Sequence, residues 1–393
     1  MPKRQAVIAG AGIGGLTAAI ALHRRGWRVT VCERAPEPPV TGAGIGLAPN
    51  ALRALAAIGV DAARATGSAV PETMGVRRSA GQWLTRAGTA DMAARYGVAP
   101  VAVPRPAFTA ALAAALPPGT VRYGTAVTAV DDARGRPIVR TEAGPDLPAD
   151  LVVAADGIHS PLRRAYFPAH PGLNYIGETA WRTIVDAPDL GIAAMSETWG
   201  RGQRFGVTPL SDGRHYLYAT AVVPAGTRPT DARAELRARF GAWHDPIPAL
   251  LDRVARLAPA DVLQNDLYDL AAPLPRLHHG RIAWLGDAAH AMAPNLGQGG
   301  CQAIEDAVVL AHLLPTGDGA NGADSVPAAL AAYTAARRDR TDAVRVRARR
   351  VGRLGAIGHP LAAAARDLAV RATPTRLALR GMDDLFNGFR LPG

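Results

Sequence analysis

The sequence predicts an α/β protein in which a parallel, helix-flanked sheet is joined to a separate antiparallel sheet and followed by helices. Three observations predict this. Residues 5–33 read as strand, glycine-rich turn, helix and strand. A second strand, Asp, glycine-rich loop and helix unit returns at residues 281–314. Between them, from about Leu173, short segments rich in aromatic and β-branched residues alternate with turn signals.

In the first unit the apolar run Ala6, Val7, Ile8, Ala9 leads into Gly10, Gly12 and Gly15. A helical pattern follows with Leu16, Ile20 and Leu22 on an apolar side, Gly26 stops it, and residues 29–32 form a second apolar run ending on Glu33. This is the context that a G-x-G-x-x-G match requires. Gly10 permits the tight turn, Gly12 lets the backbone approach a pyrophosphate, and Gly15 lets helix and strand pack closely. The helix N-terminus offers free N–H groups and a partial positive charge to phosphates. Glu33 stands where a carboxylate holds a ribose 2′-hydroxyl. The ligand class is an adenine dinucleotide, and the motif does not say which one.

A proline-rich connection follows, then a loop with Gly42, Gly44 and Gly46, read either as a lining of the same site or as a plain surface loop. Asn50 is placed to cap a helix over 51–58 that Gly59 ends. Residues 74–86 read as a strand pair around Gly81. Residues 104–116 read as a helix opening on Arg105, a phosphate ligand or an ordinary exposed charge. Residues 121–130 and 137–141 read as a strand meander, and 150–156 as a buried parallel strand ending in Asp156-Gly157, with Ser160 capping a short helix.

The strand segments 175–185, 194–199, 203–208 and 214–223 predict the antiparallel sheet; helices over 231–240 and 246–257 and a strand over 262–270 follow. The run 281–286 ends in Asp287 and passes through AAHAMAPNLGQGG, whose Gly297, Gly299 and Gly300 allow close backbone approach, into a helix over 301–314. Residues 317–325 read as a loose loop, and 328–386 as mostly helical with a break at 355–360. No internal repeat is present.

At 393 residues, 48% hydrophobic and 20% charged, the chain has ample core for two domains. The net charge of +11 invites a nucleic-acid reading. Against it, Lys3 is the only lysine, the arginines are spread along the chain, and aromatics are 5% with no interleaved basic patch. The densest cluster, residues 337–353, reads as a solvated helix face with Val344, Val346 and Val351 inward. Cys32 and Cys301 are the only cysteines, so neither a disulfide framework nor a cysteine metal site is expected. The first strand begins at once, leaving no room for a signal peptide, and no run reaches the roughly 20 apolar residues of a membrane span. A cytoplasmic protein is expected, with no metal, no nucleic acid and no stable membrane insertion.

The three fingerprints GAGIGG with Glu33-Arg34, ADGIHSPLRR, and LGDAAHAMAPNLGQGGCQAIEDA stand in order over nearly the whole chain. In them the chain resembles the group A (single-component) FAD-dependent aromatic monooxygenases of para-hydroxybenzoate hydroxylase-like fold. The resemblance implies a Rossmann-like, GR-type FAD-binding domain with an inserted antiparallel β-sheet substrate domain and C-terminal helices. It implies FAD binding by residues 1–73, 101–170 and 276–345, substrate binding by 74–100 and 171–275, and a helical segment 346–393. For the ADP half of FAD it implies Gly10, Gly12, Ile13, Gly14, Gly15, Glu33 and Arg34. Arg105 matches the arginine that reaches the FAD phosphates, with Val127 nearby on the meander. Asp156 and Gly157 match the motif serving FAD and the nicotinamide nucleotide, and Gly286-Asp287 the motif holding the ribityl chain. Pro294, Gly297, Gln298, Gly299 and Gly300 would pass beside the isoalloxazine ring, and Gly44, Gly46 and Leu47 would line the mobile-flavin position.

The stretches Ala180-Trp181-Arg182, WGRGQRFGVTPL and DGRHYLYA are similar to the salicylate and urate hydroxylase branch, where positions matching Arg204 and Tyr216 touch the substrate. Sheet residues facing solvent or core are the competing reading for both. Trp181, Met195, Trp199, Phe205, Tyr216 and Tyr218 suit an apolar, aromatic ligand, and the arginines leave room for a carboxylate or phenolate on it. The implied chemistry uses NADH or NADPH and O2, with a flavin C4a-hydroperoxide as the oxygen donor. His290 is read as a structural histidine in its loop in preference to a base. A halogenase pattern is not met, since its catalytic lysine and W-x-W-x-I-P motif are missing. Epoxidation or Baeyer–Villiger oxygenation by the same cofactor stays open, as does a non-catalytic flavin or ligand sensor. Monomer and homodimer are equally compatible with the sequence.

Overall fold

Each of the two large sheets is assembled from strands far apart in the chain. The computed structural model describes residues 3–39, 43–62, 70–133, 135–142, 144–317 and 325–392. Gly42 and residues 318–324 of the expected loops lie outside these. The opening unit is β1 (Gln5–Ala9), α1 (Ile13–Arg24) and β2 (Arg28–Cys32), followed by β3 (Gly44–Leu47) and α2 (Pro49–Ala57). Next come β4 (Thr73–Arg78), β5 (Trp83–Gly88), α3 (Thr89–Tyr96), β6 (Val101–Pro104) and α4 (Arg105–Ala114). Then follow β7 (Val121–Arg122), β8 (Val127–Asp131), β9 (Ile138–Thr141), β10 (Leu147–Pro148), β11 (Leu151–Ala154) and α5 (Pro161–Tyr166). The middle of the chain gives β12 (Leu173–Asp186), β13 (Ala194–Trp199), β14 (Gln203–Pro209), β15 (Arg214–Val222), α6 (Ala232–Phe240), α7 (Ile247–Val254) and β16 (Leu263–Leu270). The last part holds β17 (His278–His279), β18 (Ile282–Trp284), α8 (Asp287–His290), α9 (Gly299–Leu313), α10 (Ser325–Gly355), α11 (Pro360–Ala372) and α12 (Thr375–Asn387).

The first sheet has the order β17-β18-β11-β1-β2-β7, parallel except for β17. Its central strands β1, β11 and β18 are buried almost throughout and share one core with α1 and α9. Burial on both faces is why these runs are continuously apolar and do not alternate. The expected meander over 121–141 is split, because Val121 pairs with Val31 at the edge of this sheet while β8, β9 and β10 form a small sheet of their own.

The second sheet has the order β16-β12-β15-β14-β13-β4-β5, with only the β13–β4 pair parallel. Side chains alternate between its two faces. Trp181, Phe205, Val207 and Leu217 pack on Leu236, Phe240 and Leu251 of α6 and α7, forming a second core. The opposite face carries Arg182, Glu197, Arg204, Tyr216, Tyr218 and Thr220. The expectation that Trp181 and Phe205 line a pocket is therefore corrected. Each is next in sequence to a residue of the other face and is at most 2% exposed.

Two local expectations also change. Pro49 begins α2 and Ala48 is its cap, so Asn50 lies within the first turn and its buried side chain points to Gln298 and Glu305. The arginines of 337–353 are not a solvated face: Arg337 and Arg345 are buried on α10, and Arg349 pairs at 2.7 Å with the buried Asp269. Val344 does face inward, whereas Val346 and Val351 are half-buried. Among the described residues, no helix is long and apolar enough to cross a membrane.

Candidate flavin and substrate site

The glycine turn after β1 is fixed by contacts that no side chain would survive. Gly10 has φ +105°, and a Cβ there would collide with the Ala155 carbonyl oxygen. A Cβ on Gly15 would strike the Gly10 oxygen, and one on Gly14 would lie 2.7 Å from Leu285 Cδ1. Ile13 is buried in the core. Gly12 differs, since nothing lies within 4 Å of its Cβ direction. It is the N-cap of α1, so this open side sits at the positive end of the helix. Glu33 reaches back to the turn, its carboxylate accepting the Ala11 N–H at 2.7 Å and the Ala35 N–H at 2.9 Å. Arg34 is exposed beside it.

Asp156 ends β11. Its Oδ2 accepts the Leu162 N–H at 3.3 Å, while Oδ1 is buried without a hydrogen-bond partner. Burial raises this carboxyl above its ordinary range against the opposing pull of Ser160 and the Leu162 N–H. Gly157 and Gly297 both have open space on their Cβ side. Ser160 caps α5, accepting the Arg163 N–H at 2.8 Å, and the Arg163 guanidinium donates to the carbonyls of Asp287 and Ala288 at 3.2 and 3.0 Å. The second motif thereby holds the backbone of the third.

In the third motif Gly286 has φ +59° and ψ −143°, a conformation that favours glycine. Asp287 is exposed, and a Cβ at Gly299 would lie 3.7 Å from its Oδ1. Gly300 packs against Ile45 of β3, where a Cβ would come within 2.7 Å. Gly46 is open on its Cβ side, but the Leu47 side chain is fully buried. Gln298 likewise turns inward, its Oε1 accepting from Asn50 and Gln302 at 3.0 and 3.1 Å. Leu47 can meet a ligand only through backbone, whereas Gln298 Nε2 is buried without a hydrogen-bond partner. Val127 is half-buried against the first core, and Arg105 is exposed at the start of α4. The open glycine sides and the unpaired Asp156 Oδ1 fit a phosphate-bearing, ribityl-bearing cofactor. Among the described residues, no three His, Cys, Asp or Glu side chains gather as a metal site.

Behind this loop lies a charged cluster that is fully buried. Glu305 and Asp306 sit on α9 with no exposed surface. Arg337 donates to Asp306 Oδ1 at 2.7 Å and to Glu305 Oε2 at 2.5 Å, and Arg340 adds two bonds to Glu305 at 2.7 and 2.8 Å. His290 Nε2 and the Gly286 N–H meet Asp306 Oδ2 at 2.5 and 3.0 Å. Burial alone would raise the Asp306 carboxyl, but His290 and Arg337 hold it down to about 2. His290 thus anchors the loop.

The site face of the second sheet meets these loops at two points. Tyr216 packs on Gly44, where a Cβ would fall 2.5 Å from its ring. Burial raises its hydroxyl pKa, and the guanidinium of Arg182 opposes this. Arg204, 2% exposed, donates to Thr220 at 3.1 Å, to Asn295 Oδ1 at 2.5 Å and to Glu178, which is also buried. Glu197 lies 3.8 Å from the same guanidinium and accepts the hydroxyl of Tyr218 at 2.6 Å and the indole N–H of Trp199. Pro294 opens the short helical turn that carries Asn295.

Sequence reasoning missed Glu178, Glu197, Asn295 and the Glu305–Asp306–Arg337 cluster. The last had a signal: two adjacent acids inside the apolar stretch of residues 301–311 require buried partners. Glu178 and Glu197 had none beyond lying on strands.

Comparison with known proteins agrees with this geometry. The model of the FAD binding domain family matches residues 3–348. Aurachin C monooxygenase/isomerase of Stigmatella aurantiaca is 37% identical over 352 residues, 89% of each chain. The 2-heptyl-3-hydroxy-4(1H)-quinolone synthase of Pseudomonas aeruginosa strain UCBPP-PA14 is 31% identical over 385 residues, 97% of each. The crystal structure of Klebsiella pneumoniae HpxO complexed with FAD and uric acid superposes with a TM-score of 0.89 at 30% identity, covering 99% of this chain and 98% of that one. The chain belongs to the FAD binding domain family and is an FAD-dependent monooxygenase of the single-component hydroxylase type.

Proposed function

We propose that the protein hydroxylates an aromatic nitrogen heterocycle held between the site face of the second sheet and the flavin ring. In balance, one substrate C–H, one NADH or NADPH, one proton and O2 give C–OH, oxidised nicotinamide nucleotide and water. The observation that carries the reading is the pair of contacts Tyr216–Gly44 and Arg204–Asn295. Both join the sheet to loops assigned to the cofactor. Urate, the ligand of the HpxO relative, supports the heterocyclic class.

Bound FAD supplies hydride acceptance and oxygen activation. The chain's own groups bind and orient. Gly12 and the N-terminus of α1 receive the pyrophosphate, Glu33 the adenosine ribose, Arg105 a phosphate, and Asp156 and Asp287 the ribityl and nicotinamide side. Gly299 and Gly300 would present backbone N–H groups at the start of α9 to the ring, and Gly297, whose own N–H is bonded to the Pro294 carbonyl, would let the backbone pass beside it. Tyr216, Tyr218 and Trp199 give the substrate an aromatic wall and exclude water. Residues 1–73, 101–170 and 276–345 form the cofactor domain in this assignment, 74–100 and 171–275 the substrate domain, and 346–393 the helical remainder. A cytoplasmic monomer or homodimer fits the two free, buried thiols.

The test is the absorption spectrum of the purified protein, followed by NADH and NADPH oxidation with a panel of aromatics. A flavin spectrum and oxidation stimulated by a heterocycle are expected. A protein that FAD cannot colour, or whose oxidation no aromatic stimulates, overturns the assignment.

A further inference from the structure

On the basis of the hydroxylase reading above, we infer that the substrate is a nitrogen heteroaromatic without a carboxylate, whose ring N–H is accepted by Glu197, and that aromatic carboxylates are selected against. Arg204 is the buried cation of the site face, and its charge is already used. Its Nε, Nη1 and Nη2 serve Thr220, Asn295 and Glu178, and Glu197 stands 3.8 Å away. Glu178 and Arg204 each show 3% side-chain exposure. Two carboxylates around one guanidinium leave this end of the face net negative. Two of the five guanidinium N–H groups remain, but at 3% side-chain exposure they reach a ligand only if Asn295 or Glu178 moves. A carboxylate there would stand beside two like charges, at a separation where such charges repel strongly in a partly desolvated setting.

Glu197 has the opposite property. Its side chain keeps 20% exposure, and its two oxygens receive one hydrogen bond each, from Trp199 and Tyr218. An ionised carboxylate has about four acceptor positions, so capacity remains for a ligand donor. The position is built: Tyr218 lies across Gly206 to reach Glu197, and a Cβ at residue 206 would strike its ring. Of the other cations on the face, Arg78 and Arg214 are exposed, and Arg182 stands in the same row on β12, with Tyr218 and Gly206 between it and Glu197. Its charge opposes the rise that burial gives the Tyr216 hydroxyl pKa. A flat ring with an N–H edge satisfies Glu197 while its faces meet the surrounding aromatic side chains.

The experiment titrates the FAD-loaded protein with 4-quinolone and with 4-quinolone-2-carboxylate, reading the flavin difference spectrum and the NAD(P)H oxidation rate. The two probes share a ring and differ by one charge. We expect the neutral probe to bind at least about tenfold more tightly, and Glu197→Gln, which keeps an acceptor but removes the charge, to narrow that ratio to below about threefold. Flavin content and Tm of the variant report whether it is folded, and the wild-type ratio stands without it. Equal or tighter binding of the carboxylate by the wild type overturns the inference and leaves the hydroxylase reading intact, as does an unchanged ratio in a fully FAD-loaded variant. Stimulation by no aromatic of either charge overturns both.

Discussion

Arg204 on β14 donates a 2.5 Å hydrogen bond to Asn295, the residue after Pro294 in the turn that leads to α9. The substrate face and the loop assigned to the flavin ring are therefore one hydrogen-bonded unit. A change at the arginine moves both.

Arg204→Ala leaves Glu178 buried without its counter-charge, and loss of one partner of such a pair costs about 3–5 kcal/mol. A large fall in Tm is expected together with a loss of kcat/KM. The double variant Arg204→Met, Glu178→Gln restores much of the Tm, because the only acid left without its cation is the partly exposed Glu197, and leaves kcat/KM low. A single variant as stable as the wild type would show that the pair does not act as drawn.

Gly12→Val and Gly15→Val separate ligand binding from folding. The first places its side chain in open space, so the apoprotein should keep its Tm and far-ultraviolet circular dichroism while purifying without flavin. The second drives a Cβ into the Gly10 carbonyl, so the folded yield itself should collapse. A yellow Gly12→Val protein would sink the pyrophosphate assignment.

Asp156 exchanges stability for function. Burial raises its folded carboxyl pKa above the unfolded value, so ionisation at neutral pH opposes folding, and the penalty fades as pH falls through the folded value and is gone below the unfolded one. Asp156→Asn should therefore raise the apoprotein Tm at pH 7, with the gain vanishing in acid, and should weaken cofactor affinity. Thermal scans at several pH values and flavin titration test the two halves separately.

Asp306 runs the other way. Its carboxyl is held at about 2 against 3.8 in the unfolded chain, so its contribution is present above the unfolded value and disappears as pH falls from 3.8 towards 2. A shift of that size corresponds to about 2 kcal/mol. Acid unfolding of the wild type should steepen in this window, and Arg337→Met, which strips both Glu305 and Asp306 of a partner, should lose about 3–5 kcal/mol and retain flavin poorly.

The parallel strands were legible because each is a short apolar run ended by glycine or aspartate, as in residues 5–10 and 281–287. Motif spacing likewise marked Gly12, Asp156 and Gly286. Alternation along β12 and β14 was legible in principle, since Trp181 and Arg182 must face opposite ways, but hydrophobicity alone assigned Trp181 and Phe205 to the wrong side. The arginines of α10 were misjudged because charge density predicts solvent exposure unless acidic partners are known, and those partners lie on α9 and β16. Glu178 and Glu197 carry no local pattern at all. Only the register of the sheet brings them to Arg204.

The position of Arg337 also fixes when the protein becomes competent during synthesis. The glycine turn leaves the ribosome first, yet Val152 waits for Ile282 to complete its strand pairing, and Gly286 and Asp306 wait for α10. Cofactor capture in this assignment thus waits for the chain to extend into α10. A product stopped short of α10 would contain all three glycine-bearing segments and still lack the arginine that holds the third in place.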